Sequence, residues 1–220
     1  MAESAPPRTE PLAVVLAVKE LAHAKSRLTG RDVPPHERPA LVAAMFADTV
    51  EAVRAAGPAV IAVVSPDPAL RSRAAELGAL IVDDPGDGLN AALVAGAAAA
   101  YARLPIARVA FLQADLPALR TDSLVGALSA AAPHRAAFVA DRDGTGTVLL
   151  TGAPGLTPAF GAGSATAHRD SGAVELDRAA RRWPDLRTDV DTVADLAQAR
   201  RLGLGQHTAH EVRRWDRMER

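Results

Sequence analysis

The chain has no cysteine, which excludes a disulfide framework, a thiolate nucleophile and any cysteine-ligated metal or iron–sulfur site. Aromatic residues are only 3% of the 220 residues, so leucine, valine and alanine must do most of the packing. Charge of either sign is not in excess: the formal net value is −1. That balance gives no sign of a nucleic-acid or acidic-polymer partner. No apolar run is long enough to span a bilayer, since the alanine-rich stretch 91–102 is too short and too weakly apolar. The first eleven residues, MAESAPPRTEP, are polar and proline-rich rather than a targeting signal. Membrane partners are therefore not expected, and a cytoplasmic location is. Neither GxxxxGK[ST] nor GxGxxG occurs, so the familiar phosphate loops are missing. The histidines lack HExxH spacing, so a zinc site is not expected either.

What is present is an alternation of short apolar runs and helical patterns. Leu12–Val18 (LAVVLAV), 60–64, 80–82, 109–112, 136–139 and 186–190 read as buried strands. Residues 40–56 place Val42, Met45, Phe46, Val50 and Val53 at helical spacing. Further helices are expected up to Leu77, over 91–103, from Thr121 to about Ala131, around His168 and over 193–202. Such an order predicts a single-domain α/β fold: a mostly parallel twisted sheet with helices on both faces, Rossmann-like in the broad sense. The expected division is a disordered tail over 1–11, the domain over 12–204, and a polar extension over 205–220, read as a loose helix or a tail.

The functional reading centres on VAFLQADLP (109–117). Pro117 cannot continue a central strand, which leaves Asp115 as a carboxylate at the strand's C-terminal lip. Ligands bind at that lip in open α/β sheets. Lys19, Lys25 and Arg27 follow the first strand and would share the same edge; they read equally as a polyphosphate site or as a solvated basic loop. Asp189 and Asp191 lie two apart and point to one face if their strand persists. With Asp115 they suit Mg²⁺, which takes one or two carboxylates plus phosphate oxygens and water. Asp195 fits a capping pattern with Thr192. Ser65 reads as a helix cap or a ligand contact, and the loop 83–90 as a turn or a nucleoside-recognition loop. Gly144 to Thr147 and the Gly/Ser stretch 160–164 allow close backbone approach, and N–H groups at such a helix start suit a phosphate or carboxylate. His168, Arg169 and Arg142 read as added positive charge there or as surface residues.

Six segments together resemble the guanylyltransferases of coenzyme F-420 biosynthesis, which are GT-A-like nucleotidyltransferases in fold. These are AVKELAHAKSRL (17–28), GLNAAL (88–93), LQADLPAL (112–119), FVADRDGTGTVLL (138–150), FGAGSATAHRDSGAVEL (160–176) and DVDT (189–192). The chain departs from the family pattern at Ala114, where glycine is frequent, and at Val193, where proline is usual. The resemblance covers about residues 12–204 and implies transfer of GMP from GTP to a phosphorylated three-carbon acid, with Mg²⁺ held by Asp115 and an aspartate of the 189–191 segment. The acid is phosphoenolpyruvate in the actinobacterial branch, which the Ala/Arg-rich composition favours, and 2-phospho-L-lactate in the archaeal one. It further implies that Thr147, Gly161 and Ser164 grip the acid and that Ser65, Gly88 and Asn90 lie along the nucleoside. A downstream transferase partner is left unassigned. Two rivals stand beside it: a related enzyme using CTP or another acid, and a non-catalytic guanine-nucleotide-binding protein on the same fold.

Overall fold

A computed structural model describes residues 11–21, 25, 28, 33 and 36–218. Arg27 and residues 1–10 of the expected tail lie outside the described residues. Among the described residues, seven strands form one sheet in the order β3-β2-β1-β4-β6-β5-β7. They are β1 (Leu12–Ala17), β2 (Val60–Val64), β3 (Leu80–Val82), β4 (Arg108–Leu112), β5 (Ala136–Ala140), β6 (Thr147–Gly152) and β7 (Val174–Glu175). All neighbours pair in parallel except at β6, which runs antiparallel to both β4 and β5. The loop 141–146 between β5 and β6 is only six residues long, too short for the crossover a parallel pair needs.

The helices are α1 (Arg38–Ala55), α2 (Pro68–Glu76), α3 (Leu89–Arg103), α4 (Thr121–Ala131), α5 (Ser164–Asp170), α6 (Val193–Leu202) and α7 (Gln206–Met218). Side chains alternate between the faces of the strands. Val14, Leu16, Ala110 and Leu112 point to α1, α2 and α4, while Val15, Val109 and Phe111 point to α3 and the α5 side. Both faces are therefore dry, which is why the strands read as near-continuous apolar runs. The chain leaves β1 towards β2 and β3, then returns to place β4 on the other side of β1. This reversal between β1 and β4 is a topological switch point, with its crevice at the C-terminal strand ends.

Three expectations need correction. Residues 186–190 do not form a strand: they are a turn and irregular chain joined to the sheet region by single bonds, and β7 closes the sheet instead. The apolar look of that segment comes from buried Leu186 and Val190, with a buried arginine between them. Thr121 does not cap α4; its hydroxyl bonds the Ala52 carbonyl, and Asp185 receives the Arg120 N–H and the Ser123 hydroxyl at the helix start. Ser65 does not cap α2 either, because Asp67 accepts the Ala69 and Leu70 N–H groups. The Thr192–Asp195 capping box forms as expected. Residues 206–218 are the amphipathic helix α7, which buries Val212 and Trp215 with Leu41 and Met45 of α1, and whose first N–H groups are received by Asp48.

Close approach of α3 to the sheet depends on Gly96. A Cβ there would lie 2.5 Å from Val15 Cγ1 and 2.9 Å from Val64 Cγ2, both on stiff β-branched side chains. Gly96→Ala is expected to lose about 1–3 kcal/mol to overpacking, despite the roughly 1 kcal/mol that alanine gains in helix propensity. Thermal denaturation checks it; an unchanged or raised midpoint would mean that α3 can lift from the sheet without cost.

Candidate active site

The segment after β4 leaves the sheet but keeps its backbone bonds, and this is what aims Asp115. Gln113 N–H still reaches Val148 of β6, Leu116 N–H meets the Thr49 hydroxyl of α1, and Asp115 C=O receives Val190 N–H at 3.1 Å. Pro117 C=O accepts from Gly205. Asp115 is thus held from three sides at the mouth of the switch-point crevice. The bond to Val190 brings Asp189 and Asp191 beside it without any strand.

Lys25 completes the group. Its ammonium bonds Asp115 and lies 2.5 Å from Asp191 Oδ1. Its backbone sits at φ +55°, a left-handed conformation that costs a non-glycine residue about 1 kcal/mol or more. Burial alone would lower the ammonium's pKa, but the Asp115 charge and the bonds to Asp115 and Asp191 outweigh it, and the net shift is upward. One Asp115 oxygen, Oδ1, is buried with no hydrogen-bond partner among the described residues. Asp189 carries the complementary perturbation: burial, then repulsion from Asp115, push its carboxyl up to about 7 against the opposing Lys25 charge. Two carboxylates crowded at a buried point with an unused oxygen form a donor set that fits a divalent cation.

A cleft of about 500 Å³ opens here, lined by Lys19, Lys25, Gln113, Asp115, Asp191 and Gly161, with Phe46, Leu89 and Phe160 as apolar walls. A smaller recess of about 230 Å³ joins Lys19 to Gly86 and Gly88. On the other side, Asp189 and Asp191 share a pocket with Asp141, Arg142 and Asp195. Asp115, Lys19, Lys25, Asp191, Gly161 and Gly88 are therefore on one continuous lip. Gly88 takes φ +91° at the start of α3, a backbone position that suits glycine.

The remaining expected residues stand behind the lip. Ser65 is fully buried, its hydroxyl accepting Asp67 N–H at 3.1 Å. Asn90 spends both ends of its amide on one residue: Nδ2 donates to Phe160 C=O at 3.0 Å and Oδ1 accepts Phe160 N–H at 2.8 Å. It ties the start of α3 to the loop carrying Gly161. Thr147 and Ser164 are almost fully buried. The N–H groups of Ser164, Ala165 and Thr166 are all taken by Gly161, Thr145 and Gly163 carbonyls, so the expectation that they receive an anion is corrected. The positive charge expected beyond them is also occupied or absent. Arg142 pairs with Asp195, Arg169 pairs with Glu175, and His168 is buried. Asp141 receives Thr145 and Gly146 N–H, which makes its carboxylate the organiser of the 141–146 turn.

Gln113, Phe160 and Leu89 were not singled out from the sequence. Leu89 and Phe160 could have been, since each adjoins a residue that was.

Away from this lip, Asp48, Glu51 and His207 also bring ligand-type atoms within 4.8 Å of one another. Asp48 there receives the first N–H groups of α7, and Glu51 bonds His207 with Arg73 alongside. These groups are committed to joining α1 to α7.

A parallel-dominated sheet with a switch-point crevice, a carboxylate cluster and lysines after β1 defines a nucleotidyltransferase. The MobA-like NTP transferase domain matches residues 41–183. A nucleotidyl transferase from Methanothermobacter superposes with a TM-score of 0.58 at 18% identity, covering 93% of this chain and 98% of its own. A structure described as a nucleotide-diphospho-sugar transferase from Desulfovibrio desulfuricans gives 0.66 at 18% identity, covering 94% and 99%. At that identity these two establish the fold. Closer in sequence, a phosphoenolpyruvate guanylyltransferase of Mycobacterium sp. (strain KMS) is 49% identical over 208 residues, 91% of both chains. One from Streptomyces scabiei is 50% identical over 206 residues, 89% of this chain and 93% of that one. The chain belongs to the phosphoenolpyruvate guanylyltransferase family. No helix of the described residues is long and apolar enough to cross a membrane.

Proposed function

We infer that the protein transfers GMP from GTP to phosphoenolpyruvate, giving enolpyruvyl-diphospho-5'-guanosine and pyrophosphate. The observation that carries this is the near-50% identity to phosphoenolpyruvate guanylyltransferases over nine-tenths of the chain. Its expected place is coenzyme F-420 biosynthesis.

In this transfer a phosphate oxygen of the acceptor attacks the α-phosphorus of GTP. The new O–P bond forms as the bond to the β-phosphate oxygen breaks, and the electron pair leaves with pyrophosphate. The acceptor phosphate is already an anion at neutral pH, so no general base is required. The barrier lies in bringing two anions together, and positioning with charge stabilisation is what lowers it.

Lys25 and Lys19 lie at the cleft and would meet the triphosphate, with Arg27 as a third cation of the same segment. Asp115, Asp189 and Asp191 would hold Mg²⁺, which supplies charge neutralisation and alignment of the phosphate oxygens. The orphaned Asp115 oxygen and the crowded Asp189 carboxyl support that assignment. Lys25 can bond the same carboxylates in the free protein and turn to phosphate when the substrates arrive. The guanosine side is assigned to Gly88, with Ser65 and Asn90 supporting that wall. The acid is assigned to Gly161 on the cleft wall and to the hydroxyls of Thr147 and Ser164 behind it.

A screen of the four nucleoside triphosphates against phosphoenolpyruvate, 2-phospho-L-lactate and phosphoglycerate with Mg²⁺ tests this through pyrophosphate release. GTP with phosphoenolpyruvate should give the highest kcat/KM. A preference for phospholactate would change the acid, and no release with GTP and any acid would leave the non-catalytic reading.

A further inference from the structure

His168 is wholly buried between Phe138 and Phe160, whose ring centroids lie 5.9 and 5.3 Å from its own. It makes one hydrogen bond at each ring nitrogen. Ala159 N–H points at Nε2 at 2.9 Å, and the Thr147 hydroxyl oxygen lies 2.8 Å from Nδ1.

The first bond decides the second. A backbone N–H can only donate, so Nε2 must carry a lone pair and the ring proton must sit on Nδ1. Nδ1–H therefore donates to Thr147 Oγ1. An imidazolium would set Nε2–H against Ala159 N–H, and burial agrees by pushing the imidazole down to about 4 from its ordinary 6.5. With one lone pair of Thr147 filled, its own O–H is left as the donor. The next residues along the chain from Ala159 are Phe160, gripped by Asn90, and Gly161 on the cleft wall. Gln113, another wall residue, approaches the Thr147 carbonyl at 3.5 Å.

We propose that His168 is a positioning residue for the acceptor: by receiving Ala159 N–H and donating to Thr147, it fixes the Thr147 hydroxyl as a donor to an anionic oxygen and holds the backbone leading to Gly161. This rests on the assignment of Thr147 and Gly161 to the acid. It follows that the Thr147 proton points away from His168 and favours an accepting oxygen there, as a phosphate or carboxylate supplies, over a group that offers only N–H.

Two replacements separate the two bonds. His168→Asn places an amide near Nδ1 and can still donate to Thr147, whereas His168→Gln places one near Nε2 and serves Ala159 alone. His168→Gln is expected to raise the acceptor KM about ten-fold, the scale of one lost hydrogen bond to a charged group, with the GTP KM changed less than about two-fold. His168→Asn should stay nearer the parent in acceptor KM. In a Thr147→Val background, His168→Gln should add no further loss, since coupled residues are non-additive. Equal rises in both KM values, or additive losses in the double variant, would overturn the proposal. Thr147→Val with an unchanged acceptor KM would instead overturn the assignment of Thr147 to the acid. Should the His168 variants fail to fold, imidazole ¹⁵N shifts of the wild-type protein give the answer directly. A proton on Nδ1 supports the proposal and a proton on Nε2 sinks it.

Discussion

Asp115→Asn is expected to lower turnover by about 10²-fold or more, the scale for losing one electrostatic stabiliser, while the denaturation midpoint stays within about 4 °C of the parent. Asparagine keeps the shape and the backbone contacts, including the bond from Val190 N–H to the residue 115 carbonyl. It removes the negative charge that Lys25 now pairs with. It also removes the repulsion that Asp115 exerts on Asp189. The two changes to stability oppose each other, so the fold should be little affected. The chemistry has no such compensation, because an amide oxygen is a weaker ligand for a divalent cation and leaves the approaching phosphates less neutralised. Steady-state pyrophosphate release and scanning calorimetry on the same preparation check both halves. Near-parental turnover would remove Asp115 from the metal site, and a collapse in the midpoint would recast it as a structural ion-pair partner.

Asp115 was legible in the sequence because one residue, Pro117, forces the end of a strand at a place the fold reserves for ligands. The strands β1, β2 and β4 were legible for a related reason: sheets covered on both faces leave apolar runs that no helix period explains. The Thr192–Asp195 box was legible because capping is local, within four residues. What failed was non-local. Leu186 to Val190 has a strand's composition, yet it joins no ladder: Leu186 is buried in the cluster of Leu124 and Trp183, and Val190 in that of Leu41, Leu196 and Trp215. The antiparallel direction of β6 follows from a short loop, and its place between β4 and β5 is a matter of long-range pairing. Neither is written in the six residues of β6. For Asn90, read as lying along the nucleoside, and His168, read as added charge or a surface residue, the sequence shows a side chain but not the partners its polar atoms already hold. An amide closed on Phe160, 70 positions away, and an imidazole enclosed by the rings of Phe138 and Phe160 become visible only once the chain is folded.

Arg187→Met is expected to cost about 3–5 kcal/mol of stability, as for breaking up a buried charged group and its partners, which corresponds to a fall of about 10 °C in the midpoint. The guanidinium is 3% exposed and is spent almost wholly on backbone. Nη1 donates to Ala140 C=O at 2.8 Å, Nη2 to Leu176 and Asp177 C=O at 3.1 and 2.9 Å, and Nε to Arg182 C=O at 3.2 Å. Asp177 adds a carboxylate at 3.4 Å. Methionine fills much of the volume but donates nothing, so several buried carbonyls would lose their partner at about 1–3 kcal/mol each before relaxation. The same segment holds Asp177, Ala180 and Trp183 at φ between +50° and +55°. Each costs about 1 kcal/mol or more, so the chain would relax away from its present path once the guanidinium is gone. That path leads to Asp189 two residues later and on to the Val190–Asp115 bond. Turnover of the methionine variant should therefore drop even at temperatures where it is folded. Arg187→Lys keeps the charge, but its single ammonium cannot span the same set of carbonyls, so its midpoint should fall between the other two. A methionine variant that melts and turns over like the parent would show that the 177–187 segment holds its shape, and aims Asp189, without this clamp.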